Sequence, residues 1–152
     1  MIDTRLIVTA NPTLPDAMVS IRTNVPKDAM SASLLGTERA GHGVRIREDG
    51  LIATIGYVIN EAEKIWITTN EGIAVPGFAV GSDFESGLGL IKPTMPLTGP
   101  VMELGNSASL DVSDPVTILG SGTENQMTAA SVVTKQEFAG RWEYVLDEAI
   151  FT

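Results

Sequence analysis

The chain of 152 residues has few side chains suited to catalysis: one histidine, His42, and no cysteine. The lack of cysteine excludes disulfides, thiolate zinc sites and a cysteine nucleophile, and a single histidine leaves one imidazole for proton transfer. His42 lies between Gly41 and Gly43. We interpret it as a surface or pocket-rim residue beside a tight turn. The alternative is a relocated general base or a metal ligand, but the nearby carboxylates have no recognisable ligand spacing.

A serine also lies between two glycines, in the segment Gly120-Ser121-Gly122. Such a segment invites comparison with nucleophile turns and phosphate-binding turns. It lacks the Gly-x-Ser-x-Gly pattern of a nucleophile elbow and the lysine of a P-loop. The sequence around Ser121 therefore meets neither signature.

The charge balance excludes several classes of partner. Ten Lys and Arg stand against 19 Asp and Glu, for a net charge of −9, whereas nucleic acids and anionic membranes are bound by basic surfaces. The first ten residues have no basic region followed by an apolar run, so they do not resemble a secretory signal. No window reaches the roughly 18 apolar residues of a membrane span. We expect no nucleic acid partner, no membrane insertion and, for the chain as written, a soluble cytoplasmic protein.

Short apolar or β-branched runs, separated by Gly, Pro and acidic turns, are typical of strands. Val44–Glu48 alternates apolar and polar residues, Asp49-Gly50 is predicted to be a two-residue hairpin turn, and Leu51–Ile55 returns. Ile59–Lys64 is predicted to form one helical turn. Trp66, at the centre of the next predicted strand, is expected in the core. The regular spacing of such strands along the whole chain indicates an all-β barrel or sandwich.

Three segments, taken in order, resemble those of a known family. They run from Gly41 to Ile59, from Glu85 to Lys92 and from Leu104 to Gly120. They are similar to the stretches GSGVIIxxDGLILTNAHVV, ETxDxLALLK and LGxSxxLxVGDxVxAIG of the HtrA-type (DegP-like) trypsin-fold serine proteases. The likeness stays in register from about Met18 to at least Gly122, which is most of the chain.

The resemblance implies two antiparallel six-stranded β-barrels with the active site in the cleft between them. On this template, residues 1–17 form a leader segment, 18–91 the first barrel, and the proline-rich stretch 92–100 the inter-barrel linker. Residues 101–152 form an incomplete second barrel, in which Ser121 falls in a surface turn. The nucleophile and the closing strands would come later, so we expect a fragment, a truncated chain or a second chain that completes the barrel.

The resemblance also implies a degenerate catalytic triad. Tyr57 falls at the position of the triad histidine, and Gly87 falls at the position of the triad aspartate. A phenol stays protonated at neutral pH and is a poor general base, and glycine has no side chain to orient an imidazole. Tyr57, His42 and Asp83 are the candidates for binding a ligand in the cleft. Tyr57 either packs there or offers its hydroxyl to a bound peptide, and Asp83 either replaces the lost acid or lies in an exposed turn.

Three functions remain open. The first is a catalytically inactive HtrA-type homologue, a pseudoprotease, that binds a peptide or partner protein in the cleft or at a strand edge. The second is a serine endopeptidase or hydrolase with a non-standard base and a nucleophile beyond this chain. The third is a structural domain that forms homo-oligomers, as the family commonly does. No cofactor or metal ion is expected, and the family suggests the periplasm, whereas the chain itself shows no export signal.

Overall fold

The computed structural model describes residues 14–121, 127–140 and 145–152. Strands are the main elements of these ranges, as the all-β prediction requires. They are β1 (Met18–Asn24), β2 (Glu38–Arg45), β3 (Ile52–Ile55), β4 (Lys64–Thr69), β5 (Ala74–Asp83), β6 (Leu88–Pro93), β7 (Pro115–Leu119), β8 (Met127–Ser131), β9 (Thr134–Ala139) and β10 (Val145–Phe151). The helical segments are short: α1 (Ala32–Leu35), α2 (Gly56–Ile59) and two 3-10 turns at Leu14–Ala17 and Ser107–Ser109. None of the described helices has the length and apolar character to cross a membrane.

The first six strands form a closed antiparallel barrel in the order β1-β2-β3-β6-β5-β4, and β4 returns to pair with β1. Ile21 in β1 pairs with Gly41 of β2 on one side and with Ile67 of β4 on the other. Closure leaves this sheet without a free edge. The prediction of a six-stranded first barrel is therefore confirmed.

The barrel interior is filled by side chains that alternate along each strand. Val19 and Ile21 in β1, and Ile65 and Ile67 in β4, are buried, because every second residue of a strand points to the same face. Burial of one such side chain contributes roughly 1.5–3 kcal/mol, so a register shift by one residue is strongly disfavoured. The core cluster consists of Val19, Ile21, Ile52, Val58, Ile59, Ile65, Ile67, Val75, Ile91 and Leu97.

The same alternation explains why the prediction for Trp66 was wrong. Trp66 lies between the two inward-pointing isoleucines of β4 and is therefore on the outer face of the barrel. Its side chain is 46% exposed, and it pairs with Arg22 of β1 and Pro76 of β5. Its position in the strand decides its burial more than its aromatic character does.

Two glycines allow the helical turn α2 to lie directly against the barrel. A Cβ atom at Gly41 would come within 2.7 Å of Val58 Cγ2, and one at Gly89 would come within 2.7 Å of Ile59 Cδ1. Val58 and Ile59 are both buried. Small residues in β2 and β6 therefore determine where α2, which carries Tyr57, is placed.

The helical turn that was predicted over Ile59–Lys64 is wrong in position. Helix α2 occupies Gly56–Ile59 instead, and Glu61, with a φ of +57°, lies beyond its end in the left-handed region. The buried pair Val58 and Ile59 explains the difference, because helical geometry over these residues turns both side chains onto the barrel core.

The predicted two-residue hairpin turn at Asp49-Gly50 is also wrong. Strand β2 ends at Arg45, and the N–H of Ile46 donates to the carbonyl of Leu51 at 2.9 Å, so the connection comprises the four residues 47–50. Among them only Gly50 has a positive φ, of +87°, whereas a type I′ turn needs positive φ at both central residues.

The connection from the barrel to the second half is packed on the barrel. Leu97 belongs to the core cluster, and the N–H of Met102 donates to the carbonyl of Arg45 at 2.8 Å. The guanidinium of Arg45 donates to the carbonyl of Gly99. Lys92 and Pro93, which were predicted to begin the linker, are the last residues of β6.

Within the described residues, the second half forms two two-stranded antiparallel sheets, β7-β8 and β9-β10. Backbone hydrogen bonds connect them: the N–H of Ser113 donates to the carbonyl of Val132 at 2.8 Å, and the N–H of Val133 donates to the carbonyl of Phe151 at 2.7 Å. The prediction that the second barrel is incomplete stays a prediction.

Candidate functional site

The position of Tyr57 is set from behind by a buried arginine. Arg39 in β2 is 5% exposed, and its Nη1 donates to the carbonyl of Tyr57 at 2.7 Å and to that of Asn60 at 3.0 Å. Cations favour the carbonyl end of a helical turn. Burial lowers the pKa of Arg39 from its ordinary value, and the nearby Glu61 carboxylate opposes that shift. The Tyr57 side chain itself is 37% exposed.

Glu61 joins the same hydrogen-bond network from the other side. Its carboxylate accepts from the N–H groups of Met30 at 3.0 Å and Ser31 at 2.8 Å, and from the hydroxyl of Ser31. Arg39 Nη2 also donates to the Ser31 hydroxyl, at 2.7 Å. These bonds, above all the one from the Ser31 hydroxyl, hold the pKa of Glu61 below its ordinary value.

Sequence reasoning missed this network. One signal was present: Arg39 shares its strand face with Gly41 and Gly43, because the three positions are two residues apart. That face points into the barrel, and a charged side chain there requires several partners.

Gly87 adopts a backbone conformation that favours glycine. Its φ is +69°, and its carbonyl accepts a hydrogen bond from the N–H of Gly56 at 2.7 Å. A Cβ atom at Gly56 would lie 3.3 Å from that carbonyl oxygen. This backbone hydrogen bond joins the segment that carries Tyr57 to the segment that carries Gly87. The resemblance assigns these two residues to triad positions.

Asp83 lies at the end of β5, where it stabilises the turn to β6. Its carboxylate accepts from the hydroxyl of Ser86 at 2.6 Å and from the N–H groups of Ser86 at 3.1 Å and Glu85 at 3.4 Å. The Ser86 hydroxyl is the main cause of a lowered pKa of Asp83. Of the two interpretations of Asp83, the exposed acidic turn matches this geometry.

This turn forms one side of an open depression of about 650 Å³, and the start of β10 forms the other. Its lining residues come from both halves of the chain: Asp83, Glu85, Ser86, Val145, Leu146, Asp147 and Glu148. The depression is lined by polar and apolar groups, so it offers a surface on which an extended segment can lie.

His42 has a partner that the sequence did not indicate. Its Nδ1 lies 2.5 Å from the hydroxyl oxygen of Ser121 and accepts a hydrogen bond from the N–H of Ser121 at 3.3 Å. The hydroxyl of Ser20 lies 2.9 Å from that of Ser121. His42 and Ser121 are 79 residues apart in the chain, and only the packing of the second half on the barrel brings them together.

The predicted site residues therefore do not form one cluster. In the part of the chain that the structure describes, His42 contacts Ser121, Asp83 contacts its own turn, and Tyr57 is held by Arg39 through its carbonyl. Their role in binding a ligand stays a prediction. No group of three or more His, Asp or Glu side chains in these described ranges is arranged to hold a metal ion.

The family of the chain follows from comparison with known proteins. The model of the trypsin-like peptidase domain matches residues 41–152, which is most of the chain. The chain therefore belongs to the trypsin-like peptidase family, and the resemblance to HtrA-type proteases is confirmed by its relatives.

Two of these relatives show the extent of the match. Serine protease HTRA4 of Mus musculus is 33% identical over 99 residues, which cover 64% of this chain and 20% of that protein. A probable periplasmic serine endoprotease DegP-like of Halomonas elongata is 30% identical over 94 residues, which cover 60% of this chain and 20% of that protein. The chain spans about a fifth of the length of these curated relatives.

Solved structures support the fold. The HtrA-type protease AlgW with a tripeptide aligns with a TM-score of 0.64 at 20% identity, over 81% of this chain and 38% of that one. A variant form of AlgW with a tripeptide aligns with a TM-score of 0.71 at 20% identity, over 91% of this chain and 42% of that one. The trypsin-like HtrA fold is shared, although the sequences have diverged.

Proposed function

We propose that this HtrA-type domain does not cleave peptides through the family's triad and instead binds an extended peptide or a protein segment. The observation that carries the proposal is the pair Tyr57 and Gly87 at the positions that the resemblance assigns to the triad histidine and aspartate. A triad needs an imidazole that accepts the serine proton and a carboxylate that orients it. A phenol and a glycine supply neither.

The local geometry supports this proposal. Gly87 has a φ of +69° and uses its carbonyl to hold Gly56. Asp83, at the other end of the same turn as Gly87, accepts three hydrogen bonds within that turn, so its carboxylate is already engaged. For Asp83 to act as a replacement acid beside Tyr57, these hydrogen bonds would have to break.

Peptide binding is supported by an open surface of the domain. The depression between the β5–β6 turn and β10 has contributions from both halves of the chain. Val145, on its β10 side, is 55% exposed. Extended segments bind to sheets by strand addition, where main-chain hydrogen bonds give affinity and side chains fill alternate positions. The AlgW structures that share the fold carry a tripeptide.

The test combines a cleavage assay with a binding assay. The folded chain is incubated with fluorescent casein, and an array of extended peptides is screened, with the affinity of the best peptide measured by fluorescence anisotropy. We expect no cleavage and saturable binding of at least one peptide. Casein cleavage that depends on Tyr57, or no peptide binding by a chain shown to be folded, would contradict the proposal.

A matched pair of variants locates the binding surface. Val145→Asp introduces a charge into the depression, and Val80→Asp introduces the same charge at a residue of similar exposure, 53%, on β5 of the barrel. We expect at least a tenfold loss of peptide affinity for Val145→Asp and little change for Val80→Asp. Equal effects of the two substitutions would place the peptide elsewhere.

A further inference from the structure

Three polar side chains from distant parts of the chain form a continuous hydrogen-bonded series outside the assigned triad positions. Ser20 lies on β1, His42 on the adjacent β2, and Ser121 follows β7 in the second half. The hydroxyls of Ser20 and Ser121 are 2.9 Å apart, and the Ser121 hydroxyl is 2.5 Å from His42 Nδ1. Nucleophilic serines are recognised by a base within such a distance of the hydroxyl.

The direction of the hydrogen bonds follows from the donors available. The backbone N–H of Ser121 can only donate, and it points to His42 Nδ1 at 3.3 Å. Nδ1 is therefore an acceptor, and the neutral imidazole carries its proton on Nε2. Because Nδ1 has no hydrogen, the Ser121 hydroxyl must donate to it, and the Ser20 hydroxyl then donates to the Ser121 oxygen.

We propose that Ser121 is a reactive serine, with His42 as its general base and Ser20 as a positioning residue. The inference is independent of the proposed peptide binding, because it uses different residues and a different reaction. The unprotonated Nδ1 at 2.5 Å is correctly placed to take the hydroxyl proton as the oxygen attacks an electrophile.

A substrate can approach this pair. The His42 side chain is exposed, and its neighbours Gly41 and Gly43 have no side chains to shield it. Among the described residues, a Cβ atom built on the neighbouring Gly120 would meet no atom within 4 Å.

The same geometry restricts the substrate class to activated carboxylic esters. In serine proteases the backbone N–H of the nucleophilic serine helps to stabilise the oxyanion. Here the N–H of Ser121 donates to His42 and is not directed at a substrate. Esters with good leaving groups need the least oxyanion stabilisation, so they fit this site better than amides do.

The reaction balances with water as the only co-reactant. The Ser121 oxygen bonds to the ester carbonyl carbon, its proton moves to His42 Nδ1, and the bond from that carbon to the alkoxy oxygen breaks. The leaving alcohol takes the proton from Nδ1, leaving an acyl-serine. Water then attacks the acyl-serine with His42 as base, which releases the carboxylic acid and restores the serine hydroxyl.

The test uses the full chain with p-nitrophenyl acetate and a fluorophosphonate probe, and the labelled residue is identified by peptide mass mapping. We expect the label on Ser121 and none in Ser121→Ala. General base catalysis contributes roughly 10²–10⁴-fold, so His42→Gln should label at least about 100-fold more slowly. Ser20→Ala should slow labelling by a few-fold, and Ser109→Ala, at an exposed serine of the 3-10 turn Ser107–Ser109, should leave the rate unchanged.

A second measurement uses the absence of cysteine from the chain. Ser121→Cys and Ser109→Cys each introduce a single thiol, and a neighbouring imidazole promotes the reactive thiolate. Ser121→Cys should react with iodoacetamide at least tenfold faster than Ser109→Cys, and His42→Gln in the same background should remove the difference.

An unlabelled Ser121 in the folded chain, a label on another residue, or equal rates with and without His42 would overturn the proposal. Unchanged peptide binding by Ser121→Ala would show that the reactive serine and the peptide-binding surface are independent of each other.

Discussion

The carbonyl of Gly87 accepts a hydrogen bond from the N–H of Gly56 at 2.7 Å. This bond connects the turn after β5 to the first residue of α2, which carries Tyr57. In an active triad the two corresponding segments communicate through an aspartate and a histidine side chain. Here a backbone hydrogen bond connects the two segments that the resemblance assigns to the triad histidine and aspartate.

Substitution of Tyr57 by histidine alone should not create a protease. An imidazole at position 57 would have no carboxylate at position 87 to hold its tautomer, and loss of that carboxylate costs about 10⁴-fold in a working triad. We expect no release of fluorescence from labelled casein by Tyr57→His. Casein cleavage above that of the unaltered chain would show that another acid serves the site.

Replacement of Gly87 by alanine should destabilise the fold. Its φ of +69° lies in the left-handed region, where a Cβ atom costs roughly 1–2 kcal/mol. Urea unfolding of Gly87→Ala should show a loss of about that size. Gly81→Ala is the control, because Gly81 does not have a positive φ and a Cβ there meets no described atom within 4 Å. An equal loss in both variants would assign the effect to strand geometry instead of to φ.

Removal of the Arg39 guanidinium should destabilise the fold more than Gly87→Ala does. Arg39→Met keeps the apolar stem but leaves the carbonyls of Tyr57 and Asn60 without their donor. Each buried polar group left unsatisfied costs about 1–3 kcal/mol, so loss of the donor to both carbonyls should lower the free energy of unfolding by about 2–6 kcal/mol.

Arg22→Met is the matched control for this substitution. Arg22 lies on the exposed face of β1, and changes at exposed sites usually stay within about 0.5 kcal/mol. If both variants lose a similar amount of unfolding free energy, the hydrogen bonds of Arg39 do not determine its contribution to stability.

Glu61 should make stability depend on acid pH. Hydrogen bonds from Ser31 hold its pKa below the ordinary value in the folded chain. Stability from a carboxylate of lowered pKa is present above the unfolded pKa, and it is lost as pH falls through the folded pKa. The urea midpoint should therefore decrease as pH is lowered from about 5 through the carboxylate range.

In Glu61→Gln the loss of stability at acid pH that comes from Glu61 should disappear, since the amide does not titrate. Glu63→Gln removes an exposed carboxylate two residues away while the Glu61 contacts remain, so it should retain the Glu61 contribution. If the urea midpoints of the two variants depend on pH in the same way, the contacts of Glu61 do not account for the loss of stability at acid pH.

The local pattern of the sequence determined the barrel, and the resemblance assigned Tyr57 and Gly87 to the triad positions. Inward and outward residues follow from an alternation of two, as Ile65 and Ile67 show, and the glycine and phenol at positions 87 and 57 can be read directly. The misplaced helical turn arose because α2 depends on the burial of Val58 and Ile59, which the residues of that segment do not reveal by themselves.

Only the tertiary structure decided which distant groups meet. Arg39 reaches the α2 carbonyls because Gly41 and Gly89 let the helical turn approach the barrel. His42 meets Ser121 because the second half packs against β1 and β2. A contact between residues 79 positions apart has no local periodicity to predict it, since it depends on how whole elements pack and not on the order of neighbouring side chains.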